Sequence, residues 1–415
     1  MTEPSSSADD PTKPFVILGV GGGVAAYKAC EVLRGLTESG HDVRVVPTEA
    51  ALRFVGAATF EALSGHPVHT GVLADVPEVP HVRLGRQADL VIVVPATADL
   101  LAKAAHGQAD DLLTATLLTT RSPVAFFPAM HTEMWEHPAT QANVALLRSR
   151  GAIVPDPASG RLTGPDTGTG RLADPAEILD LARLLLTNPD ALRHDLAGLT
   201  VAVSAGGTRE ALDPVRYLGN RSSGKQGYAL ARVAAARGAQ VTLVAAHTQA
   251  LPDPAGVELV RVGSADELRT AMRKAADDAD VIVMAAAVAD FRPTHRAEYK
   301  IKKTDHDPEP VELTRNPDIL RELVENRKPG QFIVGFAAET GDSRADVLDH
   351  ARAKLRRKGV DLLVVNAVGE GVAFEVENNS GWLLSSDGAE TAIPLGAKSA
   401  LAATLWDNVL AATRR

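Results

Sequence analysis

Residues Leu199–Gly227 read LTVAVSAGGTREALDPVRYLGNRSSGKQG, and this stretch decides the fold. Thr200 to Ser204 is a β-branched, apolar run that reads as a buried parallel strand, and Ala205-Gly206-Gly207 breaks it sharply. A strand followed at once by glycines is how a doubly wound sheet presents backbone N–H groups to phosphate. The polar loop that follows carries Thr208, Arg209, Asp213, Arg216, Asn220 and Arg221. Ser222-Ser223-Gly224 then leads into an alanine-rich helical pattern, Lys225 to Arg237, with Ser222 or Ser223 as the expected cap. Gly219 to Gln226 also spells G-x-x-x-x-G-K, but Gln226 stands where a P-loop needs a hydroxyl for magnesium, and no strand directly precedes the motif. A P-loop is therefore excluded.

Working outward, the same plan recurs in the first half. Phe15 to Val20 reads as a buried strand, Gly21-Gly22-Gly23 as its turn, Val24 to Ser39 as a helix and Asp42 to Val46 as the next strand. Val24 occupies the place of the third glycine of a dinucleotide fingerprint, and Pro47-Thr48 the place of the ribose-binding acid. This favours a mononucleotide such as FMN over NAD. An internal repeat links the halves: Ala88 to Asp99 is ADLVIVVPATAD and Ala279 to Asp290 is ADVIVMAAAVAD. Small residues beyond a strand's carboxyl end let a flat ring or ribose approach the backbone.

The 415 residues suffice for two or three cores, and 45% hydrophobic with 23% charged residues is ordinary for a globular protein. A net charge of -9 argues against a general nucleic-acid or anionic-membrane binder. One cysteine, Cys30, excludes an intramolecular disulfide and fits a reducing compartment. Apolar runs such as Val281 to Ala289 fall well short of the roughly 18 residues of a membrane span, so a cytoplasmic location is expected. The expected organisation is a polar, disordered tail at 1–14, a flavodoxin-like unit at 15–186, a connection at 187–198 and a second Rossmann-like unit at 199–415. Within the second unit, Gly238 to Ala245, Gln331 to Phe336 and Asp361 to Asn366 read as strands, Asn378 to Ile393 as an antiparallel hairpin, and Gly396 to Thr413 as a closing helix.

AGGTRE, DPVRYLGNRSSGK, AAAVADFRP with KIKK, and GFAAET together resemble the ligase half of the bifunctional phosphopantothenoylcysteine decarboxylase/phosphopantothenate–cysteine ligase family of coenzyme A synthesis. In the first half, His81 in HVRLGRQADL, Pro95-Ala96-Thr97, and Pro128 to Trp135 (PAMHTEMW) resemble the family's flavin-containing cysteine decarboxylases. The resemblance implies FMN held by Gly21, Gly22, Thr48, Pro95, Thr97 and Met130, with His81 as the catalytic histidine. Decarboxylating a cysteinyl group needs an electron sink, which a flavin supplies, and a base near neutral pH to take the thiol proton. Two positions depart from the family pattern. His131 stands at the substrate-binding asparagine, and Thr163, in the clamp GRLTGPDTGTG at Gly160 to Gly170, stands at the proton-donating cysteine. His131 is expected to hold the substrate carboxylate through a ring N–H, and the final proton is expected from Thr163 through water or from another group. Cys30, on the first helix, is not expected to replace it.

For the second unit the resemblance implies CTP-dependent activation of 4'-phosphopantothenate to an acyl-cytidylate, with magnesium, followed by attack of the L-cysteine amine. Carboxylate, phosphate and triphosphate are all anions, so clustered cations are required. Lys300 and Lys303 match the family's catalytic lysines, and Asn220, with Arg216 on the same loop, matches the residue that turns over the acyl-cytidylate. Ala286 and Asp290 match positions near cytosine and near ribose or metal. Asn316, Pro317, Asp318, Ile319 and Phe336 are expected as further walls of the nucleotide site. Lys354 and Lys358 lie four apart on one helical face. The resemblance also implies a homo-oligomer, with trimeric decarboxylase units whose flavin sites lie between subunits and dimeric ligase units, so a dodecamer is expected. An active ligase fused to a non-catalytic flavin-binding assembly unit is the alternative. An NAD-dependent reductase on tandem dinucleotide folds fails on the incomplete glycine fingerprints.

Overall fold

The computed structural model describes residues 13–71, 79–302, 310–339, 347–367 and 378–414. It divides into two units, Met1–Asp190 and Ala191–Arg415.

In the first unit, strands β1 (Phe15–Val20), β2 (Asp42–Pro47), β3 (Leu90–Ala96) and β4 (Val124–Pro128) form a parallel sheet in the order β2-β1-β3-β4. A parallel bridge from Ala125 to Ile153 begins a fifth position, giving the flavodoxin-like order. Helices α1 (Ala29–Glu38), α2 (Ala57–Ser64), α3 (Pro80–Gln87), α4 (Ala98–His106), α5 (Leu112–Thr119), α6 (Thr132–Glu136), α7 (Pro138–Ser149) and α8 (Pro175–Thr187) accompany it. Every residue of β3 is buried, as expected of a parallel strand covered on both faces. Ile17, Val91, Val93, Leu100, Leu101, Phe126 and Trp135 share one core cluster. The helix expected from Val24 to Ser39 is split: Val24–Lys28 winds as a tight 3₁₀ turn before α1. A two-stranded hairpin, β5 (Ala158–Arg161) with β6 (Thr167–Arg171), makes up the segment expected as a clamp.

In the second unit, β7 (Thr200–Ala205), β10 (Gln240–Ala245), β11 (Val257–Arg261), β12 (Val281–Met284), β15 (Phe332–Glu339), β16 (Leu362–Ala367), β17 (Asn378–Ser385) and β18 (Glu390–Ala397) form one sheet in the order β11-β10-β7-β12-β15-β16-β17-β18. The first six are parallel in the doubly wound dinucleotide-fold order, and the last two add an antiparallel edge. Two short hairpins, β8 (Arg209–Ala211) with β9 (Tyr217–Gly219) and β13 (Phe291–Pro293) with β14 (Leu313–Arg315), stand at the carboxyl ends of the strands. The helices are α9 (Lys225–Ala236), α10 (Ala265–Ala276), α11 (Ile319–Glu325), α12 (Val347–Lys358) and α13 (Lys398–Thr413). Trp406 on α13 is fully buried and donates its indole N–H to Leu230 O of α9 at 3.0 Å. Arg237, 1% exposed, is held by Asp195 and Asp407 at 2.8 and 2.7 Å, so its charge is buried with partners.

The cap of α9 differs from the expectation. Gly224 takes that position at φ +79°, because a Cβ there would lie 2.4 Å from Thr248 Cγ2, and no side chain caps the helix. The two repeated stretches occupy equivalent places. β3 adjoins β1 and β12 adjoins β7, each on the side opposite the strand that follows the glycine turn, where the winding reverses. Beyond β3 the chain enters α4 directly, whereas beyond β12 it stays extended and pairs Ala287 with Gly207.

Gly206 combines φ +81° with a space so tight that a Cβ would lie 2.6 Å from His247 O, whereas Gly198, at φ +86°, has nothing within 4 Å. Gly206→Ala is expected to destabilise the second unit by about 2 kcal/mol or more, and Gly198→Ala by only about 1 kcal/mol, in urea unfolding. Equal costs would show that the close approach to His247 contributes nothing.

Candidate active sites

In the first unit the carboxyl ends of the strands open into a cavity of about 1020 Å³. The glycine turn after β1 forms one wall. Gly21 donates its N–H to Pro95 O at 3.0 Å, and a Cβ would lie 2.5 Å from that oxygen. A Cβ on Gly22 would lie 2.3 Å from Ala50 Cβ. Gly21 itself is buried behind the wall, while Gly22, Thr48, Pro95, Thr97, Met130, His131 and Thr163 line the cavity. Thr97 caps α4 by accepting from Leu100 N–H at 3.3 Å, and Thr48 Oγ1 accepts from Ala51 N–H at 3.2 Å. His131 precedes α6 and makes no capping bond, so its ring is not committed to that helix. Met130 donates its N–H to Gly170 O at 2.9 Å, which ties this wall to the hairpin carrying Thr163. Arg161 Nε donates to Gly164 O at 2.7 Å and closes the hairpin tip.

Sequence reasoning missed the cationic side of this cavity. Lys28 and Arg171 both line it. Burial, then the Arg171 guanidinium, pushes the Lys28 ammonium below its ordinary value, although Asp174 and Glu31 pull the other way. An anion between the two cations would relieve their repulsion. Lys28 gives no motif signal, because only the 3₁₀ turn aims it at the cavity.

His81 does not line the cavity. It lies on α3, half-buried, with its Nδ1 buried and without a hydrogen-bond partner among the described residues. Its carbonyl accepts from Thr119 Oγ1 at 2.7 Å. Cys30 is half-buried, with its thiol pushed up by burial, and does not line the cavity either.

In the second unit the glycine turn after β7 is again locked to its neighbours. Gly207 N–H donates to His247 O at 2.9 Å, and Thr208 N–H to Ala287 O at 3.2 Å. Ala286 N–H donates to Ser204 Oγ at 3.1 Å, and Ala289 N–H to Thr208 Oγ1 at 3.0 Å. Asn220 Nδ2 donates to Val288 O at 2.9 Å, which brings the loop carrying this amide beside the repeat strand's extension. Asn316 joins the same region, donating its N–H to Asp290 O at 2.9 Å and its Nδ2 to Ala289 O at 2.8 Å. Asn220, Ala286, Asp290 and Asn316 are thus gathered by backbone and amide bonds, and the Asp290 carboxyl is exposed. Pro317 and Phe336 are half-buried, and Lys300 is exposed.

Several expected roles change. Ile319 is a core residue, 2% exposed and packed in the cluster with Leu323 and Ile333, so its side chain is no wall of a nucleotide site. Asp318 caps α11, accepting from Arg321 N–H at 3.1 Å, and receives the Lys358 ammonium. Lys358 is therefore engaged within the protein, while Lys354 is half-buried one turn earlier on α12. Burial would raise the Asp318 carboxyl, but Lys358 and Arg321 N–H outweigh it and hold it low. Arg216 is engaged with Asp213. Lys303 lies outside the described residues. Among those described, no three His, Cys, Asp or Glu side chains gather as a metal site. No helix among the described residues is long and apolar enough to cross a membrane.

The chain is built of two doubly wound α/β units, the first with a glycine-walled cavity at the carboxyl ends of its strands. Residues 4–186 match the Flavoprotein family, and residues 196–412 match the family described as DNA/pantothenate metabolism flavoprotein C-terminal domain. The chain is 65% identical, over 95% of its length and 97% of the relative's, to the coenzyme A biosynthesis bifunctional protein CoaBC of Mycolicibacterium smegmatis. It is 66% identical to that of Mycobacterium tuberculosis (strain ATCC 25618 / H37Rv), over 95% of this chain and 96% of the relative, and 42% identical to that of Vibrio vulnificus (strain CMCP6), over 93% and 94%. The chain belongs to the family of coenzyme A biosynthesis bifunctional proteins. The two activities of that family are phosphopantothenoylcysteine decarboxylase and phosphopantothenate–cysteine ligase, and the alternative with a non-catalytic first unit is not favoured.

Gly22→Val is expected to yield a folded first unit that purifies without yellow colour, because the added methyls occupy the wall against Ala50. Retention of a full flavin absorbance near 450 nm would show that this wall is not part of the flavin site.

Proposed function

We propose that the first unit holds FMN in the cavity walled by Gly22, Thr48, Pro95, Thr97 and Met130, with Gly21 shaping the turn behind it. The observation that carries this reading is the glycine turn pressed against Pro95 and Ala50, which leaves backbone rather than side chain facing the cavity. Bound there, FMN supplies the temporary electron sink that loss of carbon dioxide from a cysteinyl carboxylate requires. His131 accepts the substrate carboxylate by donating a ring N–H. Lys28 and Arg171 offer their charges to a phosphate, that of the flavin or of the substrate. Thr163, on the hairpin tied to Met130, relays the last proton through water. His81 takes the thiol proton as base, and because it lies off the cavity of its own chain, it serves the cavity of a second copy. This suits flavin sites shared between subunits of a trimer, and with dimeric ligase units a dodecamer.

The second unit takes CTP and 4'-phosphopantothenate, with magnesium, and joins the acyl group to L-cysteine. Ala286, Asp290, Asn316 and Pro317 frame the nucleotide. Phe336 lies at the carboxyl half of β15, on the same edge of the sheet. Asn220 polarises the acyl oxygen without adding charge, while Lys300, Lys303 and Lys354 offset the charge of the phosphates. Lys358 and Asp318 set the entry of α11, which fixes Asn316 and Pro317. The substrates are small charged metabolites and the sole cysteine is free, which suits the cytoplasm.

Omitting cysteine tests the ligase half. CTP and 4'-phosphopantothenate are expected to release pyrophosphate and leave an acyl-cytidylate detectable by mass spectrometry; Asn220→Ala is expected to let it accumulate when cysteine is present. Absence of the acyl-cytidylate in both proteins would overturn the reading. In the other half, His131→Ala is expected to raise KM for 4'-phosphopantothenoylcysteine by roughly tenfold or more, the loss of one charge-assisted hydrogen bond. An unchanged KM would remove His131 from carboxylate binding.

A further inference from the structure

In the second unit a single buried carboxylate joins two loops that are distant in sequence. Asp213 is 2% exposed. Its Oδ1 accepts from the N–H groups of Val215 and Arg216 at 2.8 and 2.7 Å. Its Oδ2 accepts from Arg216 Nε at 2.9 Å, Arg216 Nη2 at 2.7 Å and the N–H of Ile301 at 3.1 Å. Arg216 Nη2 also donates to Ile301 O at 2.8 Å, so carboxylate and guanidinium grip both backbone groups of Ile301. Ala297 N–H donates to Leu212 O at 2.9 Å and closes the other end of the same seam. Burial alone would raise this carboxyl. The Arg216 guanidinium and the N–H groups of Val215, Arg216 and Ile301 outweigh burial and hold it far below the usual carboxylate range.

The consequence concerns the residues at either side of the seam. Asn220 lies just beyond the β8–β9 hairpin that Asp213 begins to turn, and Lys300 immediately precedes Ile301. Both carry exposed side chains on short irregular segments; Asn220 has its bond to Val288 O, and the seam ties the rest of its loop to the segment of Lys300. Groups that meet a reacting acyl phosphate must be held to a fraction of an ångström, and a misplacement of about 1 Å can cost on the order of 100-fold in rate.

We propose that Asp213 is a positioning residue for the ligation step, fixing the loop that carries Asn220 and the segment that carries Lys300 as one body. Asp213 touches no substrate in this account; it acts through Arg216 and Ile301. The proposal rests on the roles given above to Asn220 and Lys300. An amide in its place keeps the shape but loses the charge, and its NH2 would face the donors of Arg216 or Ile301.

The test uses the full-length protein, with Asp213→Asn and Asp213→Ala beside the wild type. Three quantities are followed: ligation of 4'-phosphopantothenate to cysteine, decarboxylation of supplied 4'-phosphopantothenoylcysteine, and amide hydrogen exchange of 297–302. Both variants are expected to lose about 100-fold in ligation kcat, with KM for CTP changed less than about threefold. Exchange at 297–302 should accelerate about tenfold, while exchange in β7 and decarboxylation stay at wild-type values. Unchanged exchange at 297–302, or accelerated exchange with ligation intact, would overturn the proposal. A matching loss of protection in β7 would also overturn it, because Asp213 would then hold up the unit rather than position the loops. Wild-type protein that fails to ligate would instead overturn the site reading on which the proposal stands.

Discussion

In both units, the constraint on which the sites depend is the close approach of a glycine turn to the loops beyond neighbouring parallel strands. In the first, Gly21 lies against Pro95 O and Gly22 against Ala50; in the second, Gly206 lies against His247 O and Gly207 against Asn220 O. A side chain at any of these positions would push the turn away from the strand ends. The turns can approach only because parallel strands end together, and the small residues after β3 and β12 leave the space open. The two sites are thus one architectural solution used twice, with different chemistry attached.

That solution was legible in the sequence because it is written in local terms. Strand, glycine turn and helix follow one another in sequence, from Phe15 to Glu38 in the first unit and from Thr200 to Ala236 in the second, and ADLVIVVPATAD and ADVIVMAAAVAD announce the strands at the switch in winding. The doubly wound fold is legible in these signals, and the antiparallel edge in the alternation and turn residues of Asn378 to Ile393. What was not legible depended on contacts between distant segments. The cap of α9 went to Gly224 because Thr248 leaves no room for a side chain. Ile319 reads as one more residue after Asn316-Pro317-Asp318, yet the turn into α11 points it into the core. Lys28 reaches a cavity wall only because the chain winds as a 3₁₀ turn before α1.

Charged side chains divide in the same way. Arg216 and Lys358 look from the sequence like free cations for an anionic substrate, but each has a carboxylate in the fold: Asp213 for one and Asp318 for the other. They organise loops within the second unit. Asp213 carried a local signal, since Asp-Pro-x-Arg is a turn in which the aspartate accepts from the N–H groups two and three residues on. Its reach to Ile301 had none. His81 is the clearest remaining case, a buried ring nitrogen without a hydrogen-bond partner among the described residues, on a helix that its own cavity does not use.

The central claim is that one polypeptide supplies both activities, which act in sequence. It is tested most directly by giving the purified yellow protein 4'-phosphopantothenate, cysteine, CTP and magnesium, and following pyrophosphate and carbon dioxide separately. The account predicts that both appear, in equal final amounts, with carbon dioxide lagging behind pyrophosphate. Pyrophosphate without carbon dioxide, with the cysteine adduct accumulating, would contradict it, leaving the first unit as a flavin-binding partner of a working ligase.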